Sequence, residues 1–127
     1  MQERVVQQDQ HDLAKAAGGS SSVDVRRACK SVIRKAEALL EAAPDAPNRY
    51  QVMALLFESR KRLLSVENTG RNRAAIFETC RAMLNAPDEF AEARFEADML
   101  LAERDLATAQ ATVEQRTRAL ADMLADS

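Results

Sequence analysis

The stretch RYQVMALLFESR, residues Arg49–Arg60, decides the fold because the chain repeats it in altered form as RFEADMLLAERD over Arg94–Asp105. An arginine, an aromatic residue, a Leu-Leu pair and a glutamate recur at an offset of 45 residues. Each copy follows a Pro-Asp step, Pro44-Asp45 in one case and Pro87-Asp88 in the other. Self-similarity at a fixed period indicates that one supersecondary unit is used twice.

The composition predicts helices almost throughout. The chain has 127 residues, which suits one domain, with three Gly, three Pro, no Trp and only 4% aromatic residues. We therefore predict an all-α fold of antiparallel helical hairpins, in two repeat units of about 45 residues with terminal helices. Residues 1–23 form a polar N-terminal segment with a Gly/Ser joint, and residues 24–127 form the helical-repeat domain.

Apolar residues recur at helical spacing in five segments after the joint. Ser21 or Asp24 is placed to cap the first helix, Asp45 the second, and Gly70 is expected to end the second with a positive φ. Residues 1–17 carry a thin apolar stripe that predicts only a marginal helix. The five predicted helices span residues 25–43, 46–66, 71–86, 89–108 and 113–125.

The boundary between the last two helices depends on the stretch Thr112–Gln115, which fits a capping box. Because Ala107–Ala111 consists of good helix formers, one continuous helix is the alternative. We predict a break near Gln110. The last helix then resembles half of a hairpin, as in a chain cut at its C-terminus or paired with a second molecule. The apolar stripes of these two helices are Phe95, Met99, Ala102 and Leu106, and then Val113, Thr117, Leu120 and Leu124.

The block from Ala36 to Leu106 resembles the α-solenoid class of helical repeats. HEAT and armadillo units of that class have about 40–47 residues. The Leu-Leu pairs and Pro-Asp joints are similar to those of tetratricopeptide repeats, although such repeats are shorter, about 34 residues, and their Trp and Gly signature positions are missing here. The resemblance implies stacked hairpins, and two units are fewer than the three that such arrays usually need.

The run PDAPNRYQVMALLFESRKRLL, with the segments that follow it, also resembles helical N-terminal modules of larger bacterial secreted proteins that carry a thioredoxin-like domain. This resemblance implies a domain context and no site residues. The chain has no Cys-x-x-Cys motif, and its two cysteines, Cys29 and Cys80, lie far apart in the sequence.

The charges are unevenly distributed although the net charge is only -2. Basic residues dominate from Asp24 to Arg73 and acidic residues from Ala74 to Ser127, a pattern that favours contact with another copy or a partner. Nucleic-acid binding by the basic half is the alternative, but no aromatic residues alternate with the basic ones to stack on bases. The candidate partner-binding residues bracket the predicted turn after the second helix: Arg60, Lys61, Arg62, Arg71 and Arg73.

No residue pattern points to catalysis. His11 is the only histidine and lies in the polar N-terminal segment. Cys29 and Cys80 fall on apolar helix faces, where packing as reduced thiols is favoured over a disulfide between the first and third helices. The sequence contains no Gly-rich phosphate loop, nucleophile elbow or metal-ligand spacing, so we expect no enzyme activity, cofactor or metal.

We therefore expect a non-catalytic helical module for protein interaction or structure, with a protein partner or self-association. The place to look for a partner groove is among Tyr50, Met53, Phe57, Phe95 and Met99, although we expect most of these residues to fill the core. The alternatives are an accessory segment of a larger, thioredoxin-like redox protein, and a nucleic-acid-associated protein. No apolar run approaches the roughly 20 residues that cross a bilayer, and the N-terminus lacks signal-peptide features. We expect a cytoplasmic protein if the chain is complete and an extracytoplasmic one if a signal peptide has been removed.

Overall fold

The computed structural model describes residues 21–126, which form four helices without strands. The predicted all-α class is thus confirmed. Contacts are most extensive between helices that follow each other in the chain, which gives an α1–α2 hairpin and an α3–α4 hairpin joined along α2 and α3. His11 and the marginal helix predicted for residues 1–17 lie outside the described residues. The elements are α1 (Ser22–Ala42), α2 (Arg49–Val66), α3 (Gly70–Met83), a one-turn 3₁₀ helix (Asp88–Phe90) and α4 (Ala91–Ala125).

The first hairpin closes over an apolar cluster between α1 and α2. In α1 the buried residues Cys29, Val32 and Ala36 follow each other at intervals of three and four, so they lie on one helix face. The sequence predicts this face from the helical spacing of Val25, Cys29, Val32, Ala36, Leu39, Leu40 and Ala43. The buried members of the first cluster are Cys29, Val32, Ala36, Val52, Leu55, Leu56 and Leu63.

Helix α2 is buried on two sides because it also packs on the second hairpin. Phe57, fully buried, lies in a second cluster together with residues of α3 and α4. Tyr50 and Met53 are half-buried against that cluster. The sequence predicts an apolar stripe here, because Tyr50, Met53, Phe57 and Leu64 recur at helical spacing. The buried members of the second cluster are Phe57, Ile76, Cys80, Met83, Ala86, Ala97 and Leu101.

The two copies of the repeated block occupy equivalent places, near the start of the second helix of each hairpin. Arg49 donates a hydrogen bond to the carbonyl oxygen of Ala46 at 3.3 Å, and Arg94 donates one to the carbonyl oxygen of Ala86 at 2.7 Å. In both copies, therefore, the arginine binds the backbone that leads into its helix, and this contact helps to orient the turn.

The caps partly match the predicted ones. The Ser21 hydroxyl accepts a hydrogen bond from the backbone N–H of Asp24 at 3.4 Å, which confirms the first cap. The prediction for Asp45 is wrong, since α2 begins at Arg49 after Asn48. The prediction for Gly70 is also wrong, because this residue is the first of α3 and its φ is not positive.

Thr69 caps α3, and Gly70 is the first residue of that helix. Alanine substitutions at these two neighbours should change the free energy of unfolding in opposite directions. The Thr69 hydroxyl accepts a hydrogen bond from the N–H of Asn72 at 3.1 Å, so Thr69→Ala should lower the free energy of unfolding by about 1 kcal/mol. A Cβ at Gly70 would meet only the Arg73 side chain, at an ordinary 3.7 Å, so Gly70→Ala should raise it by about 0.5–1 kcal/mol. Urea unfolding of both variants measures these changes. Two changes of the same sign would contradict the placement of Thr69 as the cap and Gly70 as the first residue of α3.

The predicted break near Gln110 is wrong, because α4 continues without interruption from Ala91 to Ala125. The Thr112 hydroxyl, which a capping box would direct to free N–H groups, instead donates to the carbonyl oxygen of Thr108 at 3.0 Å. Thr117 donates in the same way to Val113 at 2.9 Å. Such a bond to the carbonyl four residues earlier satisfies a threonine hydroxyl in the interior of a helix.

The buried face of α4 is not its largest apolar stripe. Ala97 and Leu101 are its buried residues, and Leu101 matches Leu56 of the other repeat copy. Leu106 follows Ala97 by nine residues, which places it about 180° around the helix. Every residue from Asp105 to Asp126 is exposed, so this part of α4, about 30 Å long, extends beyond the packed hairpins.

Candidate interaction surface

Arg60, the first predicted partner-binding residue, connects three helices. Its side chain is only 15% exposed and forms a salt bridge with Glu37 of α1 at 2.5 Å. It also donates to the Thr79 hydroxyl and, at 3.1 Å, to the carbonyl oxygen of Ala75, both in α3. Thr79 is buried, and its hydroxyl accepts the bond from Arg60 and donates one to the carbonyl oxygen of Ala75 at 3.0 Å. The guanidinium is thus used within the fold.

Lys61 points to the other side of α2 and connects it to α4. Its Nζ lies 2.6 Å from a carboxylate oxygen of Glu58 and 2.6 Å from one of Glu96. The ammonium also lies over the ring of Phe57, at 4.8 Å from the centroid. Burial alone would lower the pKa of Lys61, but the hydrogen bonds to the two glutamates outweigh burial and raise it.

The other three predicted residues, Arg62, Arg71 and Arg73, are exposed. Arg73 donates to the side chain of Asn68 at 2.5 Å across the turn before α3. Arg71 and Arg60 both line a groove, and Lys61 is not part of the lining of that groove. The five residues therefore do not form one patch, and their role in partner binding stays a prediction.

The groove lies between α1 and α3, with α2 as its floor, and has a volume of about 920 Å³. Its walls carry both signs of charge, and several of these charges are paired across it. Glu67 accepts a hydrogen bond from Lys30 at 3.1 Å and one from the Asn72 side chain at 2.9 Å. The bond from Asn72, with Lys30, holds the pKa of the Glu67 carboxyl below its ordinary value.

Cys29 and Cys80 are fully buried free thiols in separate clusters, Cys29 in the first and Cys80 in the second. Burial raises the pKa of both thiols. For Cys80 the pKa rises to about 11, because the nearby Glu96 carboxylate adds to the effect of burial. Thiols in this state are poor nucleophiles, since the thiolate is the reactive form.

The raised pKa of Cys80 has a consequence for stability at alkaline pH. The folded state keeps a proton that the unfolded thiol, with a pKa near 9.0, has already lost, so folding is favoured below that pH and loses this contribution as pH rises towards about 11. The free energy of unfolding should fall over this window, and less steeply in Cys80→Ala. Urea unfolding at several alkaline pH values measures how steeply the free energy of unfolding falls with pH in the wild type and in Cys80→Ala. Equal slopes would contradict the raised pKa of Cys80.

The most distinctive surface is a row of large apolar side chains along α4, which we call the α4 stripe. Its last four members are spaced by seven residues, and the first precedes them by four. The stripe runs along the side of α4 opposite its buried face. Its members and their exposed fractions are Phe95 66%, Met99 45%, Leu106 61%, Val113 62% and Leu120 58%.

The sequence marks these residues as apolar but does not show that they remain exposed. It predicts Tyr50, Met53, Phe57, Phe95 and Met99 as the place to look for a partner groove, and the structure divides that set. The first three belong to the second cluster, whereas Phe95 and Met99 belong to the α4 stripe. The break predicted near Gln110 also separates Leu106 from Val113, although they lie on one continuous face. The feature of the sequence that indicates the α4 stripe is the seven-residue spacing of its apolar residues, which continues across the predicted break.

Two other kinds of site are not found in the described part of the chain. Residues 21–126 contain no group of three or more His, Cys, Asp or Glu side chains placed to hold a metal ion. The same residues include no helix with the length and apolarity needed to cross a membrane.

Comparison of the chain with protein families, with curated proteins and with solved structures gave no match.

Proposed function

We propose that this chain is a non-catalytic protein-interaction module and that the α4 stripe is its binding surface. The observation that carries the proposal is the exposure, between 45% and 66%, of five large apolar side chains on one helix face. Single exposed apolar residues are ordinary, but a row of large ones along one helix face is typical of an interaction site.

The length of α4 supports the proposal. Helices in proteins are stabilised mostly by burying an apolar face, and the segment Asp105–Asp126 buries nothing against the other described helices. Burial of Leu106, Val113 and Leu120 against a partner would supply that stabilisation. An amphipathic helix with anchors at this spacing is a common recognition element.

The hairpins themselves fit a role as the support of this surface. We place them in the α-solenoid class, on the basis of the two hairpins, the repeated Arg contacts and the equivalent buried leucines Leu56 and Leu101. In this reading the hairpins hold the first turns of α4, and the rest of the helix presents the stripe. Arg60 and Lys61 serve the fold, since their charges are paired within it.

Photo-crosslinking tests the proposal. The photoreactive amino acid benzoylphenylalanine is placed at Leu106, in the stripe, or at Ala111, an exposed residue of the same helix that lies about 140° away. The purified chain is irradiated alone and in cell extract. Adducts of defined mass that contain protein and form from Leu106 but not from Ala111 are expected. Absence of adducts from Leu106 under both conditions would contradict the proposed function.

A further inference from the structure

Resting on the proposed function, we infer that the partner of the α4 stripe is a second copy of this chain, bound antiparallel. The two stripes face each other across a two-fold axis between Ala107 and Thr108, which is the midpoint of the stripe from Phe95 to Leu120. The facing layers between the two copies are then Phe95–Leu120, Met99–Arg116, Ala102–Val113 and Leu106–Ala109.

The spacing of the stripe fits a pair of helices. Met99, Leu106, Val113 and Leu120 occur at every seventh residue, which is the repeat of a two-helix coiled coil. On a straight helix, side chains seven residues apart shift around the axis by only about 20° per repeat. The side chains of the stripe, which spans about three and a half heptads, therefore stay on one side of the helix. The packed hairpins lie on the opposite side of α4, beyond Ala97, and do not obstruct the approach of a second α4.

Packing favours the antiparallel arrangement. In the antiparallel pair a large side chain faces a small one in both central layers, because Leu106 faces Ala109 and Val113 faces Ala102. A parallel pair in register would set Ala102 against Ala102 and Ala109 against Ala109, which leaves voids that cost stability.

Charge favours the same arrangement. Arg116 lies within the stripe, between Val113 and Leu120, and in the antiparallel pair it faces Met99, next to Asp98 of the other copy. Its aliphatic stem can cover the methionine while its guanidinium reaches the carboxylate. A parallel pair would set Arg116 against Arg116 and bring Asp98 close to Glu103, and like charges in such positions destabilise a pair.

The area is sufficient for a specific dimer. At about 100 Å² of apolar surface for each large side chain, two copies of the stripe remove about 1,000 Å² from water. Flanking residues and the facing alanines add to this, so the total reaches the lower part of the range of about 1,200–2,000 Å² for specific interfaces. We therefore expect a dimer with a dissociation constant in the micromolar range.

Sedimentation velocity of the full chain over a range of concentrations tests the inference. The wild type should change from monomer to dimer as its concentration rises. A double variant, Leu106→Glu with Val113→Glu, should raise the dissociation constant by more than about 100-fold, because each charge would be buried against alanine. Both residues are exposed in one copy, so circular dichroism should show that the variant folds.

The matched control adds the same charge on another face of the same helix. Ala107→Glu with Ala111→Glu should dimerise as the wild type does, since both residues are exposed and lie away from the stripe. A wild type that remains monomeric at every concentration would overturn the inference. The proposed function survives that result if Leu106 still forms adducts with another protein, and it fails as well if no adducts form.

A distance measurement between spin labels on the two copies shows whether the two α4 helices are antiparallel or parallel. Both native cysteines are fully buried, so the label attaches to Ala121→Cys, which is exposed and outside the stripe. In the antiparallel dimer the two labels are about 40 Å apart, from the helical rise and the position of the axis. A parallel dimer would bring them within about 20 Å, given the usual spacing of packed helices, and that result would overturn the arrangement.

Discussion

Replacing Phe57 by alanine is expected to lower the free energy of unfolding by about 3–5 kcal/mol, the largest effect of any single change considered for this chain. The ring is fully buried in the second cluster and contacts residues of α2, α3 and α4. Its removal leaves a cavity where the two hairpins meet, and Lys61 loses the ring beneath its ammonium. Because domains of this size are stable by only about 5–15 kcal/mol, this change should remove a substantial fraction of the total free energy of unfolding.

Phe95→Ala is the matched control, since it removes the same side chain from an exposed position. Phe95 is 66% exposed, so the change should alter the stability of the monomer by less than about 0.5 kcal/mol. Urea unfolding at a protein concentration below that of dimerisation measures both variants. Equal losses would show that Phe95 is part of the core and that the division between core and stripe is wrong.

Arg60→Ala should cost about 2 kcal/mol, because hydrogen bonds that involve a charged group contribute about 1.5–3 kcal/mol. The substitution removes the links from α2 to Glu37 of α1 and to Ala75 and Thr79 of α3. The mostly buried side chain also loses its packing between these helices. The groove should open where this residue forms part of its floor.

Arg62→Ala is the control for that change, since Arg62 is an exposed arginine of the same helix. Its removal should change the free energy of unfolding by less than about 0.5 kcal/mol, as is usual for surface substitutions. Thermal or urea unfolding of both variants provides the comparison. A loss from Arg60→Ala as small as that from Arg62→Ala would show that the contacts of Arg60 do not stabilise the fold.

The fold could be predicted from the sequence where local signals and burial agree. The spacing of Cys29, Val32 and Ala36 predicts the buried face of α1, and Ser21 provides a cap that the structure confirms. The Leu-Leu pair of each repeat copy also marks a buried side, since Leu56 and Leu101 are both in the core.

The prediction failed where one local pattern has two physical solutions. Thr112 suits a capping box, but its hydroxyl can equally bond to the carbonyl of Thr108 within a continuous helix, and the alanines around it favour the helix. Gly70 suits a left-handed residue at a helix end, but Thr69 supplies a cap that allows α3 to start there directly.

The binding surface could be predicted only in part, because periodicity identifies an apolar face but not what covers it. The large stripe of α4 contains Phe95 and Leu106, yet the face that packs on α3 is formed by the smaller Ala97 and by Leu101. Leu84 follows the buried Met83, so the apolar pattern predicts that it faces inward, yet it is 40% exposed. Deciding between two apolar faces of one helix requires the positions of the other helices, which the local pattern does not contain.

We expect a second copy of the chain to cover the α4 stripe, and hydrogen exchange of the backbone amides from Asp105 to Asp126 distinguishes a covered stripe from an uncovered one. None of the other described helices covers these residues in one copy, so the protection of their amides should be low in dilute solution. Protection should rise with protein concentration in the wild type and stay low in the Leu106→Glu, Val113→Glu variant. Protection that does not depend on concentration in the wild type would contradict the claim.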